Sequence, residues 1–310
     1  MSDTHPVVLI AQSHLAPLLA MLDPHYACYP LWEEEGRARL NEARAIVTAG
    51  EFALDPALLE QMPALGLIAC FTVGYDGVDL DWARAHGVAV THGRDANAED
   101  VADHAIGLII AHHRRIVDGD RLLRAGQWHA DSKMITRSLG GMAIGIVGMG
   151  GIGQGIARRA EAMGMQPLWW GPRDKPALRW PRADSLVVLA ERSDVMVVAA
   201  RADESNRGLI SATVIDALGP RGLLVNVARG QLVDEDALIA ALRESRLGGA
   251  ALDVFAQEPT DPARWADVPH TVLTPHTGGA TDQAVARMAQ MLLANLAAHF
   301  AGEPLPTPVP

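Results

Sequence analysis

Three polar signals stand late in the chain, each just after a short apolar run. They are Asn226-Val227-Ala228-Arg229-Gly230, Leu252-Asp253-Val254-Phe255-Ala256-Gln257-Glu258-Pro259 and Thr274-Pro275-His276-Thr277-Gly278-Gly279. Arginine suits a carboxylate, which it meets through two parallel hydrogen bonds. A histidine with a carboxylate neighbour is an oriented acid–base whose pKa is held near or above neutrality. Arg229, Glu258 and His276 together therefore suit proton and hydride transfer on a small keto acid. Each residue alone has a plainer reading: an arginine after a strand as a surface or capping residue, a glutamate before proline as a loop acid. Most of the 12 histidines, His112 and His113 among them, read as ordinary surface or core residues. The triplet gains weight because each member follows a strand of one sheet and so lies on the edge where open α/β sheets bind ligands.

Upstream, Ala143–Val147 runs into Gly148-Met149-Gly150-Gly151-Ile152-Gly153, a G-x-G-x-x-G turn. Gly148 makes the tight turn, Gly150 lets a pyrophosphate approach the backbone, and Gly153 lets helix and strand pack closely. A helix over Gln154–Met163 presents its N-terminus to the phosphates. The plainer alternative is a glycine-rich packing turn in another doubly wound domain. The next strand, Gln166–Trp170, ends at Gly171, where an NAD-binding chain usually carries an acid for the ribose hydroxyl. Arg173 and Lys175 follow instead, and a guanidinium would attract a 2′-phosphate. This favours NADP, with NAD possible if Arg173 and Lys175 are solvated and Asp174 reaches the ribose.

The elements that must position these residues alternate along the chain. Val7–Ala11, Ala45–Thr48, Leu67–Phe71 and Val88–Thr91 read as buried parallel strands. A second series comprises Met142–Val147, Gln166–Trp170, Val195–Ala200, Leu223–Val227, Ala250–Val254 and Thr271–Thr274. Two such runs imply two parallel sheets with helices on both faces. Ala98–Ala125 reads as one long helix connecting two domains, and Asp282–Phe300 as a last helix returning to the first sheet. The proline-rich Pro304–Pro310 reads as an extended end. With 310 residues, 49% hydrophobic and 20% charged, the chain is too long for one minimal domain and is not disordered. A net charge of −11 argues against gripping nucleic acid or an anionic membrane. No apolar run approaches a membrane span. Only Cys28 and Cys70 are present, which fits a reducing cytoplasm. The N-terminus has no basic leader region. No metal site is expected.

The chain resembles the D-isomer-specific 2-hydroxyacid dehydrogenases, and within them the glyoxylate/hydroxypyruvate reductases. The likeness rests on Val73-Gly74-Tyr75-Asp76-Gly77-Val78-Asp79, Val101-Ala102-Asp103-His104, the Gly148–Gly153 turn and the three late segments, and covers nearly the whole chain. It implies an α/β fold of two doubly wound parallel-sheet domains: a Rossmann nucleotide domain, 99–281, inserted into a flavodoxin-like catalytic domain, 1–98 plus 282–310. The substrate cleft would lie between them. Arg229 would hold the substrate carboxylate and keto oxygen, His276 would donate the proton, and Glu258 would keep His276 protonated. N–H groups near Val73 and Gly74 would bind the carboxylate. Gly151 and Ile152 would meet the pyrophosphate, Asp253 the nicotinamide carboxamide, and Val101, Ala228, His276 and Gly278 would complete the cofactor site. Glu258 argues against the formate dehydrogenase branch, which has Gln there. Arg201 departs from the family pattern, which has a proline in that stretch; it touches the adenosine phosphate or lies on the surface. The partners implied are a small 2-keto or 2-hydroxy acid and a second copy in a homodimer, with an arm over 129–138. Two other readings remain open: a nucleotide-sensing binding protein on the same fold, and a different Rossmann oxidoreductase acting on phosphite or an L-2-hydroxy acid. The absence of an appended basic stretch disfavours the sensor, and the late position of Glu258 and His276 disfavours the L-type layout.

Overall fold

The computed structural model describes residues 5–129, 131 and 133–309. The chain divides into two compact units, Met1–Asn97 with Thr281–Pro310, and Ala98–Ala280. The first unit carries β1 (Val7–Ile10), β2 (Ala27–Pro30), β3 (Ala45–Thr48), β4 (Leu67–Cys70) and β5 (Ala89–Thr91). They form a parallel sheet in the order β2-β1-β3-β4-β5. β3 and β4 are buried along their whole length, as expected of continuous apolar runs covered on both faces. β2 has no counterpart in the sequence reading. It is an edge strand of only half-buried residues, Ala-Cys-Tyr-Pro, so it lacks the apolar run that marks the others.

The helix Asp282–Ala301 lies against one face of this sheet, with Met288, Leu292 and Leu296 buried among Val8, Val47, Leu67 and Ala69. Thr281 caps its start by accepting from the Ala284 N–H, and Gly302, at φ 71°, ends it in the left-handed conformation that glycine adopts without strain. The segment after it is not a loose end. Pro308 bridges Thr91 antiparallel, and the Val309 N–H donates to the Val90 carbonyl at 2.8 Å. The tail thus satisfies the outer edge of β5.

The second unit carries β6 (Ala143–Val147), β7 (Gln166–Trp170), β8 (Val195–Val198), β9 (Leu223–Asn226), β10 (Gly249–Leu252) and β11 (Thr271–Leu273). All pairings are parallel, in the order β11-β10-β9-β8-β6-β7. The strand order reverses between β6 and β8, so the loops after those strands open a crevice there. The expected single helix over 98–125 is two, Ala98–His113 and Ile116–Arg124. Arg115 between them adopts φ 49° and breaks the ladder. The buried apolar positions all lie in the first piece; the second buries no side chain. Nor is the first piece a connector: Val101, Ala105 and Ile109 pack with Ile144, Ile146 and Ile156 in the core of the second unit. Among the described residues no helix is long and apolar enough to cross a membrane.

Candidate active site

The ends of β9, β10 and β11 deliver the polar triplet to one edge of the second sheet. After β9, Asn226 organises the turn: its Oδ1 accepts from the Ala228 N–H at 3.1 Å and its Nδ2 donates to the Arg229 carbonyl at 2.9 Å. Arg229 Nη1 donates to the Ala228 carbonyl at 2.8 Å. Gly230 is required because a Cβ there would collide with the Phe255 carbonyl group. After β10 the chain turns through Phe255 to Glu258, whose Oε1 accepts from the Phe255 N–H at 2.9 Å. Its Oε2 accepts from His276 Nδ1 at 2.6 Å, which leaves Nε2 of His276 as the ring's outward nitrogen.

The charges follow from this geometry. Burial alone would raise the Glu258 carboxyl, but the hydrogen bonds from His276 and Phe255 and the nearby charges of His276 and Arg229 hold it below the usual range. The Glu258 hydrogen bond raises His276 above its ordinary value, against burial and the repulsion of Arg229. Arg229 thus lies close enough to act on both partners, and the three expected residues meet in one cluster.

Asp253 holds the His276 loop in place. It is 2% exposed, yet burial is outweighed by the hydrogen bonds it accepts, and its carboxyl is lowered. Oδ1 accepts from Thr274 Oγ1 at 2.5 Å and from the Thr277 N–H at 2.9 Å, and Oδ2 accepts from the Gly278 N–H at 2.8 Å. The His276 N–H donates to the Asp253 carbonyl at 2.8 Å. These bonds over-determine a loop in which His276 itself takes φ 53°, a strained value for a side chain without local help. His104 joins the cluster, its Nε2 2.9 Å from Thr274 Oγ1 and 3.3 Å from Asp253 Oδ1. Sequence reasoning missed Thr274 and assigned His104 no role. Their partnership spans 170 residues and leaves no local signal.

The glycine turn is built for close approach. Gly148 stands at φ 94°, with a Cβ position 2.6 Å from the Ala200 backbone. A Cβ on Gly153 would fall on the Gly148 carbonyl oxygen. The helix opens at Gly151, three residues before the expected start at Gln154, so Gly151 and Ile152 form its first turn. A cavity of about 550 Å³ opens beside the turn, lined by Gly148, Gly150, Gly171, Arg173, Lys175 and Arg201 among others. Lys175 is committed: its Nζ donates to the Met149 carbonyl at 2.7 Å. Arg173 is exposed at the cavity wall. Asp174 Oδ1 accepts from the Lys175 N–H at 2.9 Å. Val101, by contrast, has its side chain in the apolar core. A bare glycine cradle facing cationic side chains fits a phosphate-bearing dinucleotide.

In the first unit, Val73 and Gly74 lie in the half-buried loop after β4. Of the 129–138 arm, Ala130 and Ser132 lie outside the described residues.

The family described as D-isomer specific 2-hydroxyacid dehydrogenase, NAD binding domain, matches residues 106–278, and this chain belongs to that family. A glyoxylate/hydroxypyruvate reductase A of Arabidopsis thaliana is 42% identical over 269 residues, covering 87% of this chain and 86% of the relative. A solved 2-hydroxyacid dehydrogenase from Ketogulonicigenium vulgare Y25 superposes with a TM-score of 0.92 at 38% identity, covering 99% of both chains. An NADPH-dependent glyoxylate/hydroxypyruvate reductase from Sinorhizobium meliloti, solved with NADP and malonate, gives 0.91 at 33% identity, covering 98% of this chain and 97% of that one.

Proposed function

We propose that the protein reduces a small 2-keto acid of the glyoxylate or hydroxypyruvate type to the D-2-hydroxy acid, with NADPH as the preferred reductant. The observation that carries this reading is the His276–Glu258 pair at 2.6 Å with Arg229 beside it. A bound reduced nicotinamide supplies the hydride that forms the new C–H bond at the keto carbon. Arg229 binds the carboxylate and draws electron density toward the keto oxygen. As the carbonyl π pair moves onto that oxygen, His276 donates the Nε2 proton to it and is left neutral. Glu258 favours the imidazolium beforehand and fixes the ring by its Nδ1. Val73 and Gly74 offer backbone N–H groups to the carboxylate.

In this reading the Ala98–Ala280 unit binds the dinucleotide, with Gly148, Gly150, Gly151, Ile152 and Gly153 at the pyrophosphate. Arg173 receives the 2′-phosphate, and Asp253 both clamps the His276 loop and offers a remaining lone pair to the carboxamide. The reductase names of the relatives favour an enzyme over a nucleotide sensor. Two features support a homodimer: Leu123, Trp128 and Ile135 are 59%, 67% and 91% exposed, and the helix Ile116–Arg124 buries none of its own residues. The free thiols of Cys28 and Cys70 agree with a cytoplasmic setting. The decisive experiment is steady-state turnover of a panel of 2-keto acids with NADH and NADPH. Turnover of glyoxylate or hydroxypyruvate, faster with NADPH, is expected. No turnover of any 2-keto acid with either nucleotide would overturn the reading.

A further inference from the structure

The two N–H groups given to the substrate carboxylate belong to two successive peptide planes, and both planes are pinned from behind by the same segment. The Thr72 carbonyl accepts from the Gly93 N–H at 2.9 Å, and the Val73 carbonyl is 2.9 Å from His92 Nδ1. In a trans peptide the C=O and the following N–H point in opposite directions within one plane. Holding the Thr72 carbonyl therefore aims the Val73 N–H away from Gly93, and holding the Val73 carbonyl aims the Gly74 N–H away from His92. Among the described residues neither of these N–H groups donates to a protein acceptor. A carbonyl oxygen only accepts, so Nδ1 of His92 carries the proton and its tautomer is set.

His92 is in turn held by the segment beyond the last helix. Its carbonyl accepts from Thr307 Oγ1 at 2.6 Å, and its N–H donates to the Thr307 carbonyl at 3.2 Å. Thr307 is buried and bonded twice to buried Asn295 of the helix Asp282–Ala301: Oγ1 accepts from Asn295 Nδ2 at 2.7 Å, and the N–H donates to Asn295 Oδ1 at 3.1 Å. The Tyr75 and His92 rings meet in a T-shaped contact, 5.0 Å apart centroid to centroid. The chain Asn295–Thr307–His92–Val73 thus connects a helix interior to the orientation of one peptide plane.

We propose that His92 is the positioning residue of the substrate-carboxylate loop and that Thr307 and Asn295 hold it in register. The proposal rests on the assignment of the Val73 and Gly74 N–H groups to the carboxylate. The test separates the two. Val-Gly occurs at Val73-Gly74 and Val147-Gly148, so labelling with carbonyl-¹³C valine and ¹⁵N-glycine yields two amide resonances, which a Val147→Ile variant distinguishes. Oxalate, added to wild type with NADP present, is expected to shift the Gly74 amide downfield. No shift in wild type overturns the carboxylate assignment and the proposal with it.

With that shift established, His92→Leu is expected to abolish it, raise the oxalate inhibition constant and keto-acid KM about tenfold, and leave the NADPH dissociation constant within twofold. His92→Gln, which restores a donor, is expected to recover most of the affinity. Thr307→Val is expected to move KM in the same direction by a smaller factor, and it keeps the test available if His92→Leu does not fold. Oxalate binding within twofold of wild type in folded His92→Leu or, failing that variant, in Thr307→Val overturns the positioning role while leaving the carboxylate assignment intact.

Discussion

At the residue scale, the proposed chemistry turns on how one carboxylate is shared. Glu258 spends one oxygen on the Phe255 N–H and the other on His276, so it cannot drift from the ring it charges. In the proposed reaction the proton comes from the imidazolium, and the folded pKa of His276 is raised by that contact. The rate of reduction is therefore expected to be full at low pH and to fall as pH rises through the raised value. Glu258→Gln is expected to move this upper limb to lower pH, because the neutral amide no longer favours the charged ring. A pH–rate profile superimposable on wild type would count against the pair. His276→Ala is expected to lose ~10²–10⁴ in kcat, and a folded variant within twofold of wild type would refute the proton-donor role.

In the proposed reading, cofactor choice also rests on single side chains. Gly171 is buried at the end of β7, and a Cβ there would sit 3.4 Å from the Trp169 ring, an ordinary contact. Gly171→Asp is thus expected to fold and to turn preference toward NADH, since a carboxylate repels the 2′-phosphate and accepts from a ribose hydroxyl. Arg173→Ala is expected to weaken NADPH roughly 10- to 150-fold, the worth of a charge-assisted hydrogen bond, with little change for NADH. Fluorescence titration with both nucleotides reads this directly; equal losses for the two would point to a general anchor and away from a phosphate contact.

At the element scale, the glycine turn works by letting backbones touch. The Gly153 Cα packs against the Gly148 carbonyl, so any side chain must push the helix Gly151–Ala162 away from β6. Gly153→Ala is expected to lower the thermal midpoint by several degrees, from a strain cost of roughly 1–3 kcal/mol. It should also weaken both nucleotides together, unlike Arg173→Ala. Gly150, where a Cβ meets nothing within 4 Å, is the control: Gly150→Ala should spare the fold and cost only cofactor affinity. Calorimetry on the two variants separates packing from binding, and equal midpoints would remove the packing role from Gly153.

At the scale of the whole molecule, buried histidines set an acid limit. Burial lowers His112 and His113 from 6.5 to about 4. Below 6.5 the unfolded chain takes up protons that the folded chain does not, so stability is complete above 6.5 and is lost as pH falls toward 4. At ~1.4 kcal/mol per pKa unit, each histidine contributes on the order of 3 kcal/mol to this loss. The thermal midpoint should therefore fall steeply between pH 6.5 and 4.5, and His113→Leu should flatten the descent. A variant with the wild-type slope would show that other groups govern it.

By itself the sequence determined the strands of both series other than β2, the glycine turn and the candidacy of Arg229, Glu258 and His276, which the structure brings together. Those features are local: a buried parallel strand must be apolar at every position, and a phosphate turn must be glycine where backbones meet. It did not determine β2, whose half-exposed residues carry no burial pattern, or the break at Arg115, where helical spacing continues past the end of the ladder. Only the tertiary structure decided that Asp253 clamps the loop carrying His276, that His104 meets Thr274, and that Thr307 secures His92. Each of these bonds joins groups brought together by strand register and by closure of a sheet edge. Hydrogen bonds of 2.5 to 3 Å between residues 21 to 215 positions apart depend on the whole packed core, and no short stretch of sequence encodes them.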